Sequence, residues 1–447
     1  MEIVGQGIVF RGKKGTDHAS CAFPGIAVLP AGRWVCGFRA APTKKGTAGQ
    51  HALIAISDDE GRTWPKIINP FIPMLVDRQP GLFRAAYPTA LGGNKALAAL
   101  CWVDHSDPAL PFFNEETEGL LDTRIFLSLS KDGGETWTAP RLIETPPFKS
   151  PTPLTGPVLV LPDGEWALQF ELNKHYYDPE PWRHASIMIF SFDLGQSWPH
   201  HTIAGRDPAN RVFYWDQRPA VLEDGTLLDV FWTYDRTAAD YLNIHARKST
   251  SCGRSWSDIW DTDVAGQPAQ PVSFPDGRIA MVYVDRTAAP AIKLRVSADG
   301  GKTWPAETEM TLYQPEVIRT QLMNSHCERP SGAKQSDPQG RHEASEGSRG
   351  DLIGSHEIAT SLHSSRRLRR IASVASLLRN DTLFDALALT PPSGKKSSVQ
   401  DAWSEMEKFS LGLPATARLP NGDLLVVFYA GPEPDLTDIR WLRLHPR

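Results

Sequence analysis

The sequence predicts an all-β fold, a six-bladed β-propeller of four-stranded antiparallel blades. Three observations carry that expectation: a turn octapeptide that recurs along the chain, a proline–apolar–glycine segment interleaved with it, and a composition heavy in turn formers. The 447 residues include 37 prolines, 35 glycines and 14 tryptophans, more punctuation than long helices tolerate. Hydrophobic residues make up 41% and the net charge is −5, so a core can form and no basic field draws in nucleic acid or an anionic membrane. No apolar run reaches the roughly 20 residues of a membrane-spanning helix. The opening stretch, Met1 to Gly15, lacks the apolar segment of a secretory leader, and a cytoplasmic location is the expectation. Cysteines 21, 36, 101, 252 and 327 are scattered without metal-ligand spacing and read as reduced thiols. No cofactor and no metal is expected.

The octapeptide has the form S-x-D-x-G-x-T-W. Copies run from Ser57 to Trp64, Ser130 to Trp137, Ser191 to Trp198 (with Ser197 for Thr) and Ser297 to Trp304. A degraded copy, Ser249 to Trp256, has Ser251 in place of the aspartate. Each follows an apolar run such as Ile125-Phe126-Leu127, which reads as a strand entering a tight turn. The carboxylate can accept backbone N–H groups two residues on, the glycine can take a positive φ, and the tryptophan anchors the hairpin. These are the marks of structural staples rather than of an active site.

The interleaved segment starts a strand at a proline and turns at a glycine into a second strand. It recurs at Pro24, Pro88, Pro157, Pro219, Pro268 and Pro414. Six such hairpins, with boxes between and after them, give six four-stranded units. The last unit has no box, and the N-terminal Gly7-Ile8-Val9-Phe10 is expected to supply its outer strand and close the ring. Residues 325–400 break the pattern: they are rich in Ser, Arg and Gly, contain no tryptophan, and carry Arg366-Arg367-Leu368-Arg369-Arg370. They read as an insertion, disordered apart from a helix over Ile371 to Leu389. The organisation expected is therefore five blades over 1–324, an insertion over 325–400 and the sixth blade over 401–447.

The in-phase boxes resemble those of the sialidase (neuraminidase) superfamily, in which they are called aspartate boxes or bacterial neuraminidase repeats. The resemblance covers residues 1 to about 315 and about 401 to 447. It implies a six-bladed propeller and a carbohydrate-acting exo-glycosidase with an arginine triad, a tyrosine nucleophile assisted by a glutamate, and an aspartate acid/base. Carried over by position, the set departs from the family. The first arginine falls on Ala22, no Asp or Glu stands between Asp17 and Asp58, and the tyrosine falls on Leu413. Only Arg218 stands where a triad arginine would serve.

A propeller binds ligands at one mouth of its channel, where strand-opening residues and the ends of the second strands meet, with the boxes at the opposite end. That mouth is expected to carry Asp216, Glu171 and Glu405 as catalytic carboxyl candidates. Arg218, Arg39, Arg84, Tyr87, Trp215, Tyr234, Asp235 and Arg286 are the candidate substrate contacts. Arginines, carboxylates and aromatics together suit glycan recognition, and two carboxyl groups in different environments can divide acid and base work. The shared Asp-Arg-Thr-Ala-Ala at 235 and 285 also fits loop ion pairs copied with an ancestral repeat. Two functions stay open: a glycoside hydrolase with a non-standard site, and a non-catalytic propeller that binds glycan or protein. The expected partner is a carbohydrate, with neither nucleic acid nor membrane.

Overall fold

A computed structural model describes residues 1–149, 151–286, 290–315 and 408–447, all of which fall in one compact unit. The expected insertion over 325–400 with its helix, Cys327 and Glu405 lie outside the described residues. The described chain is almost entirely β, with one short 3₁₀ turn at Ala306–Thr308. No described helix is long and apolar enough to cross a membrane.

Four sheets have four or five strands each. Their leading strands are Gly81–Ala90, Leu159–Val160, Val212–Val221 and the short pair Gln267–Pro268 and Val272–Ser273. A fifth sheet has eight strands, running from Leu411–Arg418 through Leu436–His445 to Ser20–Val28 and on to Lys66–Ile68. The expected six separate four-stranded sheets are therefore not what forms. One parallel bridge, Ser20 to Thr437, fuses the first and last repeats. The Thr437 hydroxyl reinforces the bridge by accepting the Cys21 N–H and donating to the Cys21 carbonyl, both at 2.7 Å. The N-terminal strand Glu2–Phe10 lies antiparallel along Leu436–His445, with Gly7 opposite Trp441.

The second strands are the core of each sheet. Trp34–Ala41 is buried at all of its positions, as is Leu227–Asp235. A strand covered by neighbouring sheets on both faces needs no polar alternation. Cys36 and Cys101 are buried there as free thiols, Cys21 is buried in the leading strand Ser20–Val28, and Cys252 is half-buried.

The repeat prolines do not start strands, as the sequence suggested. Pro24 and Pro414 sit inside their leading strands within a break in register, and Pro88 and Pro219 sit beyond one. Apart from Ser20, which bridges Thr437, these leading strands run along sheet edges, and a proline is tolerated at an edge or a bulge because no ladder hydrogen bond is lost. The breaks are β-bulges, at Ala22/Gly25, Phe83/Ala85, Trp215/Arg218 and Gly412/Ala415. Three of them hold a non-glycine residue at positive φ: Phe23 at 53°, Asp216 at 48° and Leu413 at 45°.

The boxes are turn staples, with a longer reach than expected. Asp59 Oδ1 accepts the Thr63 N–H at 2.9 Å, four residues on, while Oδ2 accepts the Thr63 hydroxyl at 2.7 Å. Ser57 Oγ accepts the Gly61 N–H at 2.9 Å. The same bonds recur around Asp132, Asp193 and Asp299. In the degraded copy Ser251 Oγ accepts the Ser255 N–H at 2.9 Å, so one hydroxyl replaces two carboxylate oxygens. Trp198 and Trp304 are buried beneath their turns.

Asp299 is held at about 2 by the Thr303 and Ser297 hydrogen bonds, which outweigh the opposing effect of burial. A carboxyl group depressed in the folded state stabilises it above the unfolded pKa of about 4, and that contribution is lost as pH falls toward 2. Asp299→Ala is expected to cost about 0.5–2 kcal/mol at neutral pH, the cost of a lost local cap. Thermal melts would show a lowered Tm with unchanged ligand binding. Wild-type stability with lost ligand binding would make the box functional instead.

Candidate functional site

The bulges do local work. A bulge sets two residues against one on the partner strand and re-aims a side chain. Phe23, Arg84, Asp216 and Leu413 all sit at such breaks, and all four line one cavity of about 470 Å³. A non-glycine residue at positive φ costs on the order of 1–3 kcal/mol and is found where surrounding structure enforces it. The remaining walls come from leading and second strands, the segment Pro153-Leu154-Thr155 and two loops. One loop, after strand Trp34–Ala41, brings Lys44, Lys45 and Gly46; the other, after Ala96–Asp104, brings Pro108 to Phe113 and Glu115. No box residue lines the cavity.

Five cationic side chains face the cavity (Lys44, Lys45, Arg84, Arg218, Arg286) against three carboxyl groups (Glu115, Glu171, Asp216). A single polar chain joins four of these eight groups. The Asp216 N–H donates to Glu171 Oε1 at 2.5 Å. The Asp216 carboxylate accepts Arg218 Nη2 at 2.6 Å and Gln267 Nε2 at 2.8 Å. Gln267 Oε1 in turn accepts Arg286 Nη1 at 2.7 Å, and Arg286 Nη2 donates to the Leu411 carbonyl at 3.1 Å. Nε of both Arg218 and Arg286 is buried without a hydrogen-bond partner, which is costly unless a ligand or water completes it.

Aromatic faces hold the cations in place. Arg286 lies 4.0 Å from the Phe409 ring centroid, and Arg84 lies 4.9 Å from Phe23 and 4.4 Å from Phe112. Lys44 Nζ donates to the Tyr429 hydroxyl and the Phe409 carbonyl, both at 2.7 Å. Burial, with the charges of Arg286, Arg39 and Arg84 added, pulls the Lys44 amine well below its ordinary range. Burial likewise pushes the Tyr429 phenol up to about 12. Gly412, opposite Tyr429, leaves room for the Arg286 and Tyr429 heads. A Cβ there would lie 2.6 Å from Arg286 Nη2 and 2.9 Å from the Tyr429 oxygen.

Glu171 is displaced in the direction that suits an acid. Burial raises its pKa to about 8, against the Asp216 N–H bond that lowers it. Asp229, beneath the bulge, is also raised to about 8 by burial. It accepts the Gln217 amide at 2.6 Å, and its other oxygen has no partner.

Of the residues singled out from sequence, Asp216, Glu171, Arg218, Arg84, Tyr87, Trp215 and Arg286 meet in the cavity. Three do not line it. Arg39 lies behind the Lys44 loop, bonded to Gln50 Oε1 at 3.0 Å and to the Thr43 and Gly46 carbonyls at 3.2 Å, so it positions that loop. Tyr234 is stacked on the far side of Trp215, with ring centroids 4.9 Å apart. Asp235 binds Arg211 at 2.6 and 2.9 Å and caps the following turn. The copied Asp-Arg-Thr-Ala-Ala segment thus serves two ends, since Arg286 faces the cavity whereas Arg236 binds Glu118 at 2.5 Å. The position assigned to the first family arginine also moves by one. Ala22 is buried, and Phe23 takes the bulge that faces the cavity.

Sequence reasoning missed Lys44, Phe112, Phe409 and Tyr429 as cavity residues. Tyr429 lies inside the second strand Leu424–Glu433, opposite Gly412, short of the strand end flagged in other repeats. Lys44 sits in the loop inspected only for acids.

A BNR repeat-like domain matches residues 110–328. Among solved structures, a protein of unknown function from Dyadobacter fermentans is 15% identical with a TM-score of 0.63, over 100% of this chain and 99% of that one. The NanB sialidase of Streptococcus pneumoniae is 12% identical with a TM-score of 0.55, over 98% of this chain and 70% of that one. The intramolecular trans-sialidase of Ruminococcus gnavus, solved with oseltamivir carboxylate, is 11% identical with a TM-score of 0.55, over 100% and 98%. No curated protein matches the chain in sequence. The chain has a sialidase-like, propeller-type fold of BNR repeats. At these identities the likeness to solved structures is one of fold.

A carboxyl group raised in the folded state holds its proton where the unfolded chain has released it, so its contribution to stability is full below about pH 4 and lost as pH rises through 8. Asp229→Asn and Glu171→Gln are therefore expected to gain stability relative to wild type between about pH 5 and pH 8. Urea unfolding at the two pH values measures this. An equal difference from wild type at both would mean that neither carboxyl group keeps its proton.

Proposed function

We propose that the cavity receives a terminal anionic sugar and that the protein is a glycoside hydrolase with Glu171 and Asp216 as its acid/base pair. The observation that carries this reading is the pairing itself. Glu171 is raised to about 8 by burial and can give up a proton near neutrality. Asp216, one hydrogen bond away, presents a carboxylate bound by Arg218 and Gln267. Two carboxyl groups with environments this different divide the roles of acid and base. Arg218, Arg286 and Arg84 supply the charge that a carboxylated sugar needs, and Tyr87, Trp215 and Phe112 supply ring surface.

The ring is read as six-bladed. The eight-stranded sheet then counts as two blades joined by the Ser20–Thr437 bridge, with Glu2–Phe10 as the strand that closes the ring. Residues 1–324 and 401–447 are assigned to this ring and 325–400 to an insertion.

A second reading, a glycan-binding propeller without catalysis, is favoured by one feature: the bulge positions before Pro24 and Pro414 carry Phe23 and Leu413 rather than reactive groups. The same feature removes the family's covalent route on sialosides. A panel of chromogenic uronides, sialosides, sulfated and neutral glycosides separates the readings. Turnover of a carboxylated sugar other than a sialoside is expected, and Asp216→Asn should lower it by about 10²–10⁴-fold with Tm retained. Binding without turnover across the panel would make the protein a lectin-like propeller. Neither binding nor turnover would remove the cavity as a glycan site.

A further inference from the structure

Asp17, His18 and His51 place three metal-ligating atoms within 4.8 Å of one another. We propose that they form a binding site for a zinc-type divalent cation, independent of any activity in the cavity. Two imidazoles and a carboxylate are a donor set that suits Zn²⁺ and leaves a fourth position for water. Ligands at 2.0–2.1 Å from a tetrahedral zinc lie about 3.3 Å from each other. Here His51 Nε2 is 3.2 Å from Asp17 Oδ2 and His18 Nε2 is 3.9 Å from Asp17 Oδ1. The first is a hydrogen bond and the second is too long for one, and the two histidines meet different oxygens of the same carboxylate, which an ion between them would bridge.

Each ligand is held from behind. Asp17 and His18 close a tight turn in which the Lys13 N–H donates to the His18 carbonyl at 3.2 Å and the Thr16 hydroxyl to the Lys13 carbonyl at 2.7 Å. The His18 ring packs edge-on against Phe10 at 5.8 Å, and Phe10 against Phe38 at 5.2 Å. His51 opens the strand His51–Ser57, opposite Ala40, and its other nitrogen, Nδ1, lies 3.1 Å from the Asn69 amide. An imidazole that ligates through Nε2 donates its Nδ1–H, and Asn69 turned carbonyl-inward accepts it, the outer-shell partner that metal-bound histidines usually have.

The place in the fold gives the ion a role. His51 directly follows the loop 42–50 that brings Lys44, Lys45 and Gly46 to the cavity, and Arg39 holds that loop from inside. A cation between His51 and the Asp17 turn ties the outer root of the same loop to the N-terminal segment.

Zinc titration of the full chain by calorimetry tests this, with cobalt(II) absorption reporting four-coordinate geometry. The chain has 13 histidines, so the decisive quantity is the difference between variants. Wild type is expected to bind one more equivalent than His51→Gln or Asp17→Asn. Asn69→Ala should weaken that equivalent roughly tenfold, as loss of an outer-shell partner does. His445→Gln, which removes the histidine of a His–Asp pair at 2.7 Å with no third ligand, should leave it unchanged. Equal stoichiometry in wild type and His51→Gln, or no saturable binding by wild type, overturns the proposal.

Discussion

Phe23, Arg84, Asp216 and Leu413 face the cavity because of one backbone constraint, the bulge repeated in the leading strands. Without the extra residue, each leading strand would keep strict alternation, and every side chain beyond that point would switch faces. The bulge places two residues against one, and the positive φ at Phe23, Asp216 and Leu413 aims the side chain along the channel instead of across the sheet. The strain costs stability at each position, and the buried second strands and the box turns at the far end supply the rigidity that holds it. This separates the labours of a single repeat. The box end is closed by local hydrogen bonds that involve no ligand, and the bulge end is left with polar groups that need one.

The electrostatics of the cavity follow from that geometry. Five cations converge in a volume that would hold one sugar ring or a little more, and one of them, Arg218, donates directly to the Asp216 carboxylate. Burial acts in opposite senses on the two kinds of group: it lowers Lys44 and Arg286 and raises Glu171. An incoming carboxylate would relieve the first pair by adding the negative charge that they lack, and the unpartnered Nε atoms of Arg218 and Arg286 would gain an acceptor. The proposed acid/base pair therefore lies among the same cations that would orient the substrate, with Arg218 bound to Asp216 and burial setting Glu171.

The repeat architecture was legible because its signals are local. A box needs Ser, Asp, Gly and Thr at fixed offsets to close its own turn, and the sequence displays them. The cavity was partly legible for the same reason: Asp216, Arg218 and Trp215 lie beside a repeat proline. Arg39, Tyr234 and Asp235 were misplaced because only tertiary packing decides which face of a second-strand end looks inward. Arg39 was drawn behind the loop by carbonyls at Thr43 and Gly46, and Asp235 was taken by Arg211, a residue more than twenty positions away. Lys44 and Phe112 come from irregular loops, where no periodicity marks direction. The fusion of first and last repeats was invisible because it rests on Thr437, a residue outside either repeat motif.

The most direct measurement is a crystal structure of the full chain soaked with a terminal uronoside. The sugar carboxylate is expected against Arg218 and Arg286, within hydrogen-bond reach of the now unpartnered Nε atoms, with its glycosidic oxygen facing Glu171. A sugar bound at the box end, or in the cavity with its carboxylate turned away from both arginines, would contradict the bulge-built anionic site.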